Sequence, residues 1–153
     1  MKTHAAPVVI RDRGQLADAL ETELGFYRTL YVLLDRQRDW LADGRDQDVS
    51  ADFAEVAGLQ QQIEGSEQRI TAARTSAPDR FCEWTQAPEV VGVVDKITDM
   101  VGRCREVVAE CERLAGQRLA AYRRELDAMG QGRRLLAGMA AGDLTPRFLD
   151  ERP

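Results

Sequence analysis

The stretch PEVVGVVDKITDMVGRCREVVAECERLA, residues 88–115, decides how the chain is read. From Val90 onward, apolar side chains recur at Val94, Ile97, Val101, Cys104, Val108, Cys111 and Ala115, in alternating steps of four and three. Because a helix turns about once every 3.6 residues, this alternation keeps one face apolar, as in the seam of a coiled coil. The register then takes an extra step of four to Leu119 and resumes through Tyr122, Leu126, Met129, Arg133 and Leu136, a stutter that locally relaxes a supercoil. With Pro88 placed as a first-turn proline, the spacing predicts one helix over residues 88–139, roughly 78 Å long at about 1.5 Å per residue.

Upstream, Asp12 and Gln15 have the spacing of a capping box and open an earlier helix. Its stripe runs through Leu20, Leu24, Tyr27, Tyr31, Leu34 and Leu41, is widened by Leu30 and Leu33, and is interrupted by Arg38. Gly44 suits the left-handed residue that closes it. A second cap at Ser50 leads into Phe53, Val56, Leu59, Ile63 and Ile70, a shorter and more polar helix expected to run to about Arg74. Residues 75–87 break the period at Pro78 and read as a connection, with Phe81 and Trp84 covering the open end of a bundle.

These lengths imply an all-α fold: an elongated antiparallel three-helix bundle or coiled coil with a long C-terminal helix. Residues 1–11 are expected to be a flexible N-terminal segment, 12–140 the helical bundle and 141–153 a flexible tail. The first two helices cover only part of the third, so the stripe beyond Ala115 is left for a returning helix or a partner. Gly130 and Gly132 interrupt it, and each glycine weakens a helix by about 1 kcal/mol relative to alanine.

Composition narrows the chemistry. The chain has 153 residues, 44% hydrophobic and 31% charged, with a net charge of −5, enough for one domain with a core. That charge disfavours nucleic acid, and no apolar run approaches a membrane span. The single histidine, His4, lies in the N-terminal segment, which removes histidine triads and histidine-ligated metals. No Glu-x-x-His pair offers a di-metal site, and no glycine-rich loop follows a strand. Glu21 with Glu23, and Glu110 with Glu112, read as solvated surface.

Cys82, Cys104 and Cys111 form neither a CxxC nor a disulfide framework, so the expected compartment is the cytoplasm. Cys104 and Cys111 read as core, and Cys82 lacks neighbours that would activate a thiol. No enzyme and no cofactor is expected. Residues 12–74 hold thirteen acidic and seven basic side chains, whereas residues 112–134 hold six arginines against Glu112, Glu125 and Asp127. Internal packing of opposite charges and attraction of an acidic partner both fit this polarity.

Three groups of residues together resemble the FlgN-type flagellar export chaperones. The first is Leu16, Leu20, Glu23, Tyr27, Leu30, Leu33, Leu34, Leu41 and Gly44; the second is Phe53, Val56, Gln60, Ile63, Glu67, Arg69 and Ile70. The third is Leu135-Leu136-Ala137-Gly138-Met139 with the tail Phe148-Leu149-Asp150. The resemblance covers nearly the whole chain. Gln37 replaces an expected glutamate, Met139 stands where an aromatic residue is common, and the asparagines frequent in that family's last helix are missing.

The resemblance implies a cytoplasmic chaperone that holds the helical C-terminal segment of a secreted hook-filament junction protein. The export apparatus and a weakly associating second copy are further implied partners. Cargo binding would fall on Leu119, Tyr122, Leu126, Met129, Leu135, Leu136 and Met139. The reading from another class is a self-associating coiled-coil scaffold or adaptor using the same stripe.

Overall fold

A computed structural model of the chain describes residues 9–139. Most of the segment expected to be flexible at the N terminus, with His4, lies outside the described residues, as do the tail and the side chain of Met139. The described chain is all-α: α1 (Arg13–Ala42), α2 (Asp46–Ala51), α3 (Phe53–Ser76), α4 (Pro78–Thr85) and α5 (Pro88–Met139), with no strand among the described residues. It divides into two compact units, Met1–Glu112 and Arg113–Pro153.

The first unit is built on seams of strict four–three alternation. On α1 the inward positions are Leu16, Leu20, Glu23, Tyr27, Leu30, Leu34, Gln37 and Leu41; on α3 they are Val56, Leu59, Ile63, Ser66, Ile70 and Ala73. On α5 they are Val90, Val93, Ile97, Met100, Cys104, Val107 and Cys111. These side chains form two clusters. One joins Ile10, Leu16, Leu20, Ala73, Ala87, Val90 and Val93; the other joins Leu30, Leu33, Leu34, Leu59, Ile63, Cys104 and Val107.

The α5 seam corrects the sequence register. Val90, Ile97, Cys104 and Cys111 face inward as expected, but their companions are Val93, Met100 and Val107 rather than Val94, Val101 and Val108. Val94 and Val108 are exposed and Val101 is half-buried. Neighbouring residues on a helix point about 100° apart, so choosing the second valine of each Val-Val pair turns the seam toward solvent. The extra step at Ala115–Leu119 is likewise unnecessary, because the half-buried Leu114, Arg118 and Ala121 continue the same alternation from Cys111.

The ends of the helices follow local chemistry. Asp12 Oδ1 accepts from the Gln15 amide at 2.8 Å, and Gln15 Oε1 accepts from the Arg11 amide at 2.7 Å, one residue before the cap. Gly44 adopts a φ of 73°, the left-handed value that disfavours a Cβ. Beside that turn, the guanidiniums of Arg36 and Arg45 both lie over the Trp40 ring, at 5.0 and 5.6 Å from its centre.

Ser50 is not a cap: it sits inside α2, where its hydroxyl donates to the Asp46 carbonyl. Asp52 precedes α3 instead, and its buried carboxylate accepts from Arg36 Nε and Nη2 at 3.0 and 2.7 Å. Phe53, expected inward, is therefore one residue past the seam and exposed.

The connection 75–87 contains a helix of its own. A proline forces the preceding residue out of the α region, and Ala77 accordingly sits at φ −145°, ending α3 and leaving Pro78 to start α4. Phe81 and Trp84, with ring centroids 6.4 Å apart, pack against the first cluster from α4, in keeping with their expected covering role.

Candidate functional site

Among residues 113–138 no described side chain is buried. Leu119, Tyr122, Leu126, Met129, Leu135 and Leu136 are all exposed, from 43% for Tyr122 to 70% for Leu135. Leu119, Tyr122, Leu126, Met129 and Leu136 recur at helical spacing and share a face. Leu135 is about 100° from Leu136 and falls outside that stripe. Arg118 Nη2 donates to the Tyr122 hydroxyl at 2.9 Å, and its guanidinium lies 5.2 Å from the centre of the tyrosine ring. The stripe is thus an apolar row with an arginine folded onto its only aromatic member.

In the first unit, two clefts follow one another along α5, each of about 320 Å³. One has Leu20 and Glu23 of α1, Glu67 and Ile70 of α3, and Val94 and Ile97 of α5 among its walls. The next is lined by Tyr27, Leu30 and Leu34 of α1, Val56 and Gln60 of α3, and the α5 run Val101 to Glu112. The valines displaced from the seam, Val94, Val101 and Val108, line these clefts. A third cleft, of about 670 Å³, lies between Val9 and Ile10, Phe26, and the Gln62–Ser76 side of α3.

Glu23 differs from the surface carboxylate expected from sequence. It is only 5% exposed, since position 23 lies on the α1 seam between Leu20 and Tyr27. Ser66 Oγ, buried opposite on α3, donates to Glu23 Oε2 at 3.3 Å. The Tyr27 hydroxyl donates to Glu67 Oε1 at 3.3 Å. Burial raises the Glu23 pKa, the Ser66 hydrogen bond opposes this, and the Glu67 charge adds to it. Burial, reinforced by the charges of Glu67 and Glu23, pushes the Tyr27 phenol up to about 12.

Spacing alone, without regard to residue type, points to Glu23 as a seam position; apolarity alone passes over it. Gln37, the other polar seam residue of α1, is also buried, and its Nε2 lacks a hydrogen-bond partner.

Two of the thiols, Cys104 and Cys111, pack in the second cluster. Cys104 Sγ lies 3.8 Å from the Tyr27 carbonyl and Cys111 Sγ 3.7 Å from that of Leu34, both as weak donors to α1. Burial raises both thiol pKa values, with the Arg38 charge partly offsetting the rise at Cys111. Cys82 is exposed. No group of three or more His, Cys, Asp or Glu among the described residues is arranged to hold a metal ion, and no described helix is long and apolar enough to cross a membrane.

What these arrangements offer is exposed apolar surface together with a buried carboxylate, Glu23, close to the exposed Glu67 and a phenol. No family model, curated protein or solved structure matches the chain.

Proposed function

We propose that the protein is a binding chaperone resembling the FlgN type, which holds the helical C-terminal segment of a secreted hook-filament junction protein in the cytoplasm before export. The observation that carries this reading is the exposed row Leu119, Tyr122, Leu126, Met129 and Leu136 on a helical segment with no buried side chain among its described residues. An amphipathic cargo helix laid on that row would bury it and be kept from self-association, without any bond being made or broken. Three free cysteines suit a reducing compartment.

The architecture that goes with this reading is an up-down-up three-helix bundle. Its support is the order of partners. Along α1, Glu23 meets Ser66 while Arg36 meets Asp52, so α3 descends as α1 rises. Arg13 meets Glu89, Tyr27 meets Cys104 and Leu34 meets Cys111, so α5 rises with α1.

Truncation after Ala115 tests the function. Both core clusters and the residues packed on them lie within residues 10–111. The remainder should therefore keep a helical circular dichroism spectrum and a cooperative melt while losing cargo in a pull-down. Undiminished cargo binding would refute the assignment. The scaffold reading draws on the same row, and sedimentation with and without cargo distinguishes it, because a tight dimer that cargo does not dissolve favours a scaffold.

A further inference from the structure

We infer that the clefts along α5 in one copy of this chain receive residues 113–139 of a second copy. The two surfaces have complementary chemistry. Val94, Val101 and Val108 stand seven residues apart, or two helical turns, and form an apolar rail along one wall of the clefts. Three carboxylates line them, Glu23, Glu67 and Glu112, against a single basic residue, Arg105. Residues 113–139 carry an apolar row and six arginines against Glu125 and Asp127.

The lengths also agree: Val94 to Glu112 spans about 27 Å and Leu119 to Leu136 about 26 Å at about 1.5 Å per residue. Arg133 falls within the apolar row, between Met129 and Leu136, so a partner covering that row must supply an acid to it. A carboxylate already set among apolar side chains, as Glu23 is at 5% exposure, meets that need.

Two alternative occupants fit less well. Pairing the row with itself in parallel would bring Arg133 of both copies together, and in antiparallel it would set Arg133 against Tyr122 with no acid in the row. A lipid surface calls for a broad apolar sector, not a narrow seam interrupted by an arginine. A cleft-to-row contact is heterologous, so the species formed are dimers or larger assemblies. Because it occupies the same row, self-association would compete with the proposed cargo, and cargo would dissolve it.

Sedimentation velocity of the full chain and of two variants, Val108→Arg and Leu126→Glu, tests the contact. Both positions are exposed, and circular dichroism should report unchanged helicity. The expected result is self-association that weakens with added salt and falls about thirtyfold or more in each variant, as for a hot-spot residue. An equimolar mixture of the variants should recover association, because the intact cleft of one meets the intact row of the other. Three results would overturn the inference: a chain that stays monomeric at all concentrations, a Val108→Arg variant that associates normally, or a mixture that stays monomeric. Association with anionic vesicles in place of self-association would also overturn it, by assigning the row to a membrane.

Discussion

Residues 88–112 and 113–139 belong to the same helix, α5, and carry apolar side chains at similar intervals, yet their fates differ. In the first stretch Val90, Val93, Cys104 and Val107 are buried, Val90 completely. In the second no described side chain is buried, and Leu126 and Leu136 are about two-thirds exposed. A periodic apolar stripe therefore marks a surface that wants covering, and only the presence of a partner makes it core. The first stretch finds that partner in α1 and α3; the second has no buried side chain among its described residues.

The sharpest test of this contrast is a pair of leucine truncations. Leu24→Ala, at a site 1% exposed, should lower unfolding stability by about 3 kcal/mol, through lost burial and the cavity left behind. Chemical denaturation measures it, and a loss below about 1 kcal/mol would mean that the first unit is not a packed core.

A smaller effect tests the polar layer within that core. Because the folded-state pKa of Glu23 is raised, protonation favours the folded state. Its contribution is fully present below the ordinary carboxylate value of 4.5 and is lost as the pH rises through the raised value. At neutral pH the buried charge, facing Glu67 and Tyr27, weighs against folding. Glu23→Gln should therefore be more stable than the natural chain at pH 7, with the advantage shrinking as the pH falls toward 4.5. Melting temperatures of the two proteins across that interval measure the difference, and a constant gap would show that Glu23 does not titrate in this way.

The smallest change in stability is expected in the second stretch. Leu126→Ala should shift unfolding by less than about 0.5 kcal/mol, as an exposed substitution does, while cargo retention drops. A large loss of stability there would erase the distinction between the two regions.

Much of the fold could be read from spacing. The capping box at Asp12, the closing role of Gly44, the helix from Pro88 and the covering role of Phe81 and Trp84 all follow from local rules that the structure obeys. The errors come where residue type and position disagree. Val93-Val94 and Val107-Val108 are adjacent apolar pairs, so hydrophobicity cannot choose which member faces inward; the register of the neighbouring helix chooses. Glu23 and Gln37 are polar at seam positions, so a count of apolar residues skips them although the four–three rhythm of α1 includes both.

Residues 75–87 hide a helix because Pro78 ends one helix and begins another, and a proline in sequence announces the break more clearly than the restart. At the candidate site, the row from Leu119 to Leu136 was legible as a stripe. Its exposure was not, because exposure depends on what lies alongside, which a stripe does not record.

The three thiols also make the molecule its own timekeeper. Cys82 is open to solvent, Cys111 is half-covered and Cys104 is buried, the last two resting on carbonyls of α1. A thiol-specific reagent should modify them in that order. The two slow steps would report how often α5 lifts away from α1, so the chain carries a built-in clock for breathing motions that needs no added label.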